Sequence, residues 1–175
     1  MKGVRGLYSI GEKIVYGSEG VYFVAEYTSS PVDKNDTRQY YLLKPIFGPV
    51  GNIIFTPVDN DRVKMRPVMD EQSARSFIEK IPDVEILTVE REKNRRETYK
   101  STLSNATPED FLAIIKTVHV RREEFLRAKK RLAESDNDYE KKCKFCLYGE
   151  LSLALGVTVE EIDQRVEQML VPLPV

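Results

Sequence analysis

The stretch "KIVYGSEGVYFVAEYT", Lys13 to Thr28, sets two runs rich in Val, Tyr and Phe on either side of Gly17, Ser18 and Glu19. β-branched and aromatic side chains suit a pleated, half-buried surface, and glycine suits a tight turn, so the stretch reads as strand, turn, strand. The pattern continues outward through "QYYLLKPI", "NIIFTPV" and "VKMRPV", separated by Gly, Pro, Asn and Asp. Four or five short strands are therefore expected before residue 68. A small, strongly bent antiparallel sheet or a partly closed barrel is the economical way to arrange them.

Beyond residue 68 the apolar period becomes helical. Asp70 is placed to cap "EQSARSFIEKI", which Pro82 interrupts, and a charged segment follows over about Val89 to Leu103. Thr107, Pro108 and Glu109 supply a cap, a first-turn proline and an acidic first turn for a long helix expected to reach about Leu132. Phe111, Ile115, Val118, Phe125 and Leu132 form its apolar face. A helix from about Tyr139 to Leu155 ends at Gly156, and Thr158 caps "VEEIDQRVEQML". The expected fold class is α+β, with a β-module over 1–68 and a helical domain over 69–175. No internal repeat, low-complexity segment or long linker interrupts it.

With 175 residues, 41% hydrophobic and 31% charged, the chain has enough apolar side chain for a packed core. No apolar run approaches the roughly 20 residues that span a bilayer, and "MKGVRGLYSIGEK" lacks the apolar segment of a signal peptide, so a cytoplasmic location is expected and no membrane partner. One histidine and two cysteines cannot make a tetrahedral Cys/His zinc site, and no cofactor is implied. There is no P-loop, no GxGxxG after a strand, no GxSxG elbow and no HExxH, so the chain is not read as an enzyme. His119 falls near the apolar face of the long helix, and Cys143 and Cys146 share a face with Tyr139, Leu147, Leu151 and Ala154, as core side chains do.

Charge is balanced overall at a formal −1, yet "REKNRRETYK", Arg91 to Lys100, packs five basic and two acidic residues into ten. On a helix, Tyr99 and Leu103 form a narrow apolar stripe, flanked by Arg95 and Arg96, with Lys93 and Lys100 beyond Arg96. Such a helix docks its stripe and leaves cations outside. Two readings stay open: a solvated face, or a contact with phosphate or a minor groove, for which the planar arginine fork is suited. A second run, Lys129, Lys130 and Arg131, extends the patch or merely solubilises the long helix. The last 41 residues are acidic, with four basic and eight acidic groups, so nonspecific coating of nucleic acid by bulk charge is not expected. In the β-module, "NIIFTPVD" is a short apolar strand ended by proline; at a sheet edge it would accept a strand from another protein, and otherwise Ile53, Ile54 and Phe55 are sheet core.

The ordered set "YSIGEKIVYGSEGVYFVAEY", "QYYLLKP", "IIFTPVDN", "RRETYKSTL" and "LYGELSLALGVTVEEID" resembles the CarD family of bacterial transcription regulators over nearly the whole chain. The resemblance implies a Tudor-like amino-terminal domain, similar to the polymerase-interacting domain of the transcription-repair coupling factor, that binds the RNA polymerase β subunit by strand addition. It implies a helical domain that touches promoter DNA at the upstream edge of the transcription bubble, largely independently of sequence, and so modulates open-complex stability. By position, Ile53, Ile54, Phe55, Thr56 and Pro57 would face polymerase, and Lys93, Arg95, Arg96, Tyr99 and Lys100 would face DNA. The family's tryptophan wedge is missing: the chain has no Trp, and Arg95 falls at that position. Arginines used at the polymerase interface in some members fall on Ser30 and Phe55. Nothing demands a dimer, and a monomer is expected. The competing reading is a protein-interaction module without a DNA role.

Overall fold

The computed structural model describes residues 7–170; residues 1–6, on which the signal-peptide reading partly rests, lie outside the described residues. Five strands come first: β1 Lys13–Tyr16, β2 Gly20–Thr28, β3 Tyr40–Pro45, β4 Ile54–Pro57 and β5 Met65–Pro67. They pair antiparallel in the order β4-β3-β2-β1-β5. The sheet is open, which corrects the barrel alternative. β5 has only three residues, Pro57 and Pro67 bring no N–H, and the outer strands β4 and β5 do not pair.

Side chains close what the ladder does not. Ile14, Tyr16, Tyr22, Val24, Tyr41, Leu43 and Met65 gather on the inner face, and a bulge between Val24 and Glu26 lets Tyr27 return to it. Tyr8 lies across this core: its N–H donates to Tyr41 Oη at 3.0 Å, its hydroxyl donates to the Met65 carbonyl at 3.0 Å, and its own carbonyl accepts from Tyr27. The Tyr16 hydroxyl reaches Thr56 Oγ1 at 3.3 Å, so the sheet curls enough for β1 and β4 side chains to meet.

The helices are α1 Glu71–Glu79, α2 Arg95–Leu103, α3 Pro108–Arg127, α4 Glu134–Leu155 and α5 Val159–Leu170, with 3-10 turns at Ile81–Asp83 and Glu92–Asn94. Asp70 and Thr107 cap as expected, accepting from the Ser73 and Asp110 amides. Thr158 and Glu161 form a reciprocal capping box, and Gly156 ends α4 at φ 65°. Two boundaries differ. The charged segment begins as a 3-10 turn at Glu92 rather than as helix from Val89. The long helix stops at Arg127 because Lys129 adopts φ 54° and Lys130 N–H donates back to the Phe125 carbonyl at 2.8 Å. α4 consequently starts five residues earlier than the Tyr139 expected.

α4 packs against α1, α3 and α5 and lies on β2. Its Cys143, Cys146, Leu147 and Leu151 belong to the helical core with Phe111, Ile115 and Val118 of α3, while Tyr99 and Leu103 seal it from α2. No helix among the described residues is long and apolar enough to cross a membrane. Both cysteines are fully buried, and burial pushes the Cys143 thiol up and the Cys146 thiol up to about 12. An unfolded thiol ionises near 8.5 and these do not, so their burial contributes stability that is lost as pH rises above that value. Alkylation of the native protein at pH 8 is expected to be at least about a hundredfold slower than in denaturant, read by mass spectrometry; equal rates would place the cysteines on an accessible face.

Candidate functional site

Two features of the fold offer themselves to a partner, the outer strand β4 and the exposed cations around α2. β4 pairs with β3 in the register Tyr40↔Pro57, Tyr41↔Thr56, Leu42↔Phe55 and Leu43↔Ile54, and Val58 N–H donates to the Gln39 carbonyl at 2.9 Å. Antiparallel alternation then turns the backbone of Ile54 and Thr56 toward β3 and that of Phe55 toward the open edge. Pro57 has no N–H, and its carbonyl already accepts from the Asn60 N–H at 3.0 Å. Thr56 is buried, Ile54 packs against the inner core, and Ile53 and Phe55 stand exposed on the opposite face at 44% and 37%.

The other outer strand is blocked. Gly17 N–H donates to the Lys64 carbonyl and Val68 N–H to that of Lys13, so the backbone of Met65 and Pro67 faces away from β1. The Met65 carbonyl is already taken by the Tyr8 hydroxyl, and Pro67 has no N–H. Of the two outer strands among the described residues, β4 is the one left open to a further strand.

Arg95 and Tyr99 do not face outward as a DNA-contacting helix would need. Arg95 is 8% exposed and Tyr99 is 1% exposed. Arg95 Nε donates to Asp136 Oδ1 of α4 at 2.6 Å, and its Nη1 pairs with Glu92. Arg121 of α3 grips the same Glu92 carboxylate with both Nη atoms, at 2.7 and 3.0 Å, and this bonding holds the carboxyl below its ordinary range. Tyr99 stacks edge-on to Tyr139 at 5.2 Å, and burial next to Asp136 pushes its phenol well up. The cause is spacing: Arg95, Tyr99 and Leu103 lie four apart, so docking the apolar stripe carries Arg95 inward with it. Lys93, Arg96 and Lys100 remain exposed, as do Arg127, Lys129, Lys130 and Arg131 around the α3–α4 turn. Because Glu92 meets Arg121 and Arg95 meets the first turn of α4, Lys93 and Arg96 lie toward the α3–α4 turn, while Lys100 lies in the last turn of α2.

The sequence missed Asp136 and Arg121 as partners of this run, and no local signal marks them, since they lie 41 and 26 residues from Arg95 in the chain. His119, 15% exposed at its side chain, sits 3.8 Å from Glu167, and Lys116 is spent on the carbonyls of Ile81, Pro82 and Val84. A groove of about 680 Å³ between α1 and the start of α3 is lined by Ser76, Phe77, Lys80, Asp83 and Glu109 among others. Among the described residues no group of three or more His, Cys, Asp or Glu could hold a metal ion. Comparison of the chain with protein-family models and with curated proteins finds no match.

Removing one partner of a buried ion pair strands the other charge, which typically costs about 3–5 kcal/mol, whereas exposed cations contribute about 0.5 kcal/mol or less. Arg95→Ala is expected to lower unfolding free energy by about 3 kcal/mol and Lys93→Ala or Arg96→Ala by under about 0.5 in urea titration. Equal effects would put Arg95 on the surface.

Proposed function

We propose that this protein is a CarD-like transcription regulator that docks on the RNA polymerase β subunit through β4 and touches promoter DNA with its exposed cations. The observation that carries the reading is the edge of the sheet: the side of β4 away from β3 has no neighbouring strand and is apolar at Ile53 and Phe55, while the β5 edge is blocked. Strand addition gains affinity from main-chain hydrogen bonds and specificity from alternate side chains. Here Phe55 offers both backbone groups and the partner's neighbouring residues would pack on Ile53 and Phe55. A curved five-stranded sheet suits the Tudor-like domain that the resemblance implies.

The DNA contact is reassigned within the proposed set. Lys93, Arg96 and Lys100 are free to meet phosphates; Arg95 and Tyr99 act by fixing α2 to the helices behind it. A basic surface of this size neutralises few phosphates, so binding should be weak alone and strengthen when polymerase holds the protein at the promoter. The family's wedge has no substitute in Arg95, which is bonded to Asp136. The modulation of open complexes would rest on electrostatic contact alone.

A second reading, an interaction module without a DNA role, is favoured by the burial of Arg95 and Tyr99 and by the near-neutral charge. Two measurements separate them. Binding to the isolated β-subunit lobe should be lost in Phe55→Asp and kept in Arg96→Glu. Promoter binding in the presence of polymerase should show a log–log salt slope of about −3, falling by about one with each of Lys93, Arg96 and Lys100 neutralised. Lobe binding with a salt slope unaffected by these changes would favour the interaction module, and no lobe binding by the unaltered protein would remove the polymerase reading.

A further inference from the structure

The β5 strand and α1 are joined by only Val68, Met69 and Asp70, a natural hinge between sheet and helices. One carboxylate spans it. Glu150, in the C-terminal third of α4 with a side chain of zero exposure, accepts from Arg66 Nη1 at 2.5 Å and Nη2 at 2.7 Å, and Oε1 also accepts from the Met69 amide at 3.0 Å. Strand, connector and helix thus share a single acceptor. Nearby, each half places an aromatic ring on a glycine of the other. Phe47 lies 3.0 Å from where a Cβ on Gly149 would sit, and Phe145 lies 2.8 Å from where one on Gly20 would. The Cys146 thiol donates to the Ser18 carbonyl at 3.2 Å.

We infer that the Arg66–Glu150 pair is a latch that makes sheet and helices one rigid body, so that the β4 edge and the exposed α2 cations stand at a fixed separation before any partner is met. The pair acts by position, touching neither proposed partner. Its functional consequence rests on the reading above: two contacts on one rigid body raise the effective concentration of the second once the first is made, and a slack hinge forfeits that gain. A bidentate Arg–carboxylate pair with a third hydrogen bond has the geometric specificity for this task. Gln at position 150 would keep the acceptor for Met69 and lose the charge; Lys at position 66 would keep the charge and lose the fork.

The test uses the full chain, spin-labelled through Glu26→Cys and Gln164→Cys, both at exposed positions, with the native thiols buried. Electron–electron distance measurement on the free protein should give one narrow distribution. Glu150→Gln and Arg66→Lys should broaden it at least about twofold, with helix content unchanged by circular dichroism; Arg66→Lys, at a partly exposed site, keeps the test decisive if Glu150→Gln does not fold. In transcription assays the same variants should bind the β-subunit lobe within about twofold of the unaltered protein while losing about tenfold of its effect on open-complex lifetime. A distribution that is broad in the unaltered protein, or equally narrow in both variants, overturns the latch. Failure of the unaltered protein to bind the lobe would overturn the polymerase reading and leave the distance result to judge the latch by itself.

Discussion

Helix α4 is buried around its whole circumference from Cys146 to Ser152, and the rest of the molecule is arranged to make that tolerable. A sheet of five short strands has two apolar faces to cover. Its inner face closes over its own tyrosines; its outer face, where Val15 and Val21 are buried, relies on α4. The same helix is the centre of the helical core. Burying a helix on every side leaves no solvated stripe for a charged residue, so Glu150 needs a partner, as do Asp136 and Glu140, buried nearer the start of the helix.

Those partners are arginines from three different elements. Asp136 takes Arg95 from α2, Glu140 takes Arg122 from α3, and Glu150 takes Arg66 from β5. Desolvation offsets much of the Coulomb gain in such pairs, so their contribution to net stability is small; what they enforce is a unique seating, because any shifted arrangement strands a charge. The acidity of the carboxy-terminal part and the basic run around Arg95 are therefore partly one fact. Charge that looks like a surface patch in a local window is internal wiring when the fold is complete. Arg95 is the plainest case: it belongs by composition to a basic run and by structure to the core.

The sequence made the strands and the starts of α1, α3 and α5 legible because their signals are local. Alternating Val, Tyr and Phe located β1 and β2 to the residue, and Asp70, Thr107 and Thr158 announced their helices through hydrogen bonds that span three positions. What escaped was set at a distance or carried by an atypical residue. Lys129 ends α3 in a left-handed conformation where glycine would have been the signal, so the helix was expected to run on. That α2 would dock through Tyr99 and Leu103 followed from their spacing; that Arg95 would go inward with them required Asp136, which only the packing of α4 supplies.

The place of β4 at an edge belongs to a third kind of information. Strand order cannot be read from a list of strands, since the same five runs permit several sheets. Yet the reason that one edge is open and the other shut lies in identifiable residues. Tyr8, in the segment just before β1, reaches across the inner face and takes the Met65 carbonyl on the outer side of β5, and Pro67 has no N–H to donate beside it. β4 is not shut in this way: Pro57 blunts one end, but Phe55 keeps both backbone groups turned outward and Ile53 and Phe55 keep their side chains exposed. Open edges invite aggregation, and proteins usually shorten, charge or cover them. An edge that is shut on one side by two devices and left apolar on the other is asymmetric in the way a docking strand requires, whatever the partner that meets it.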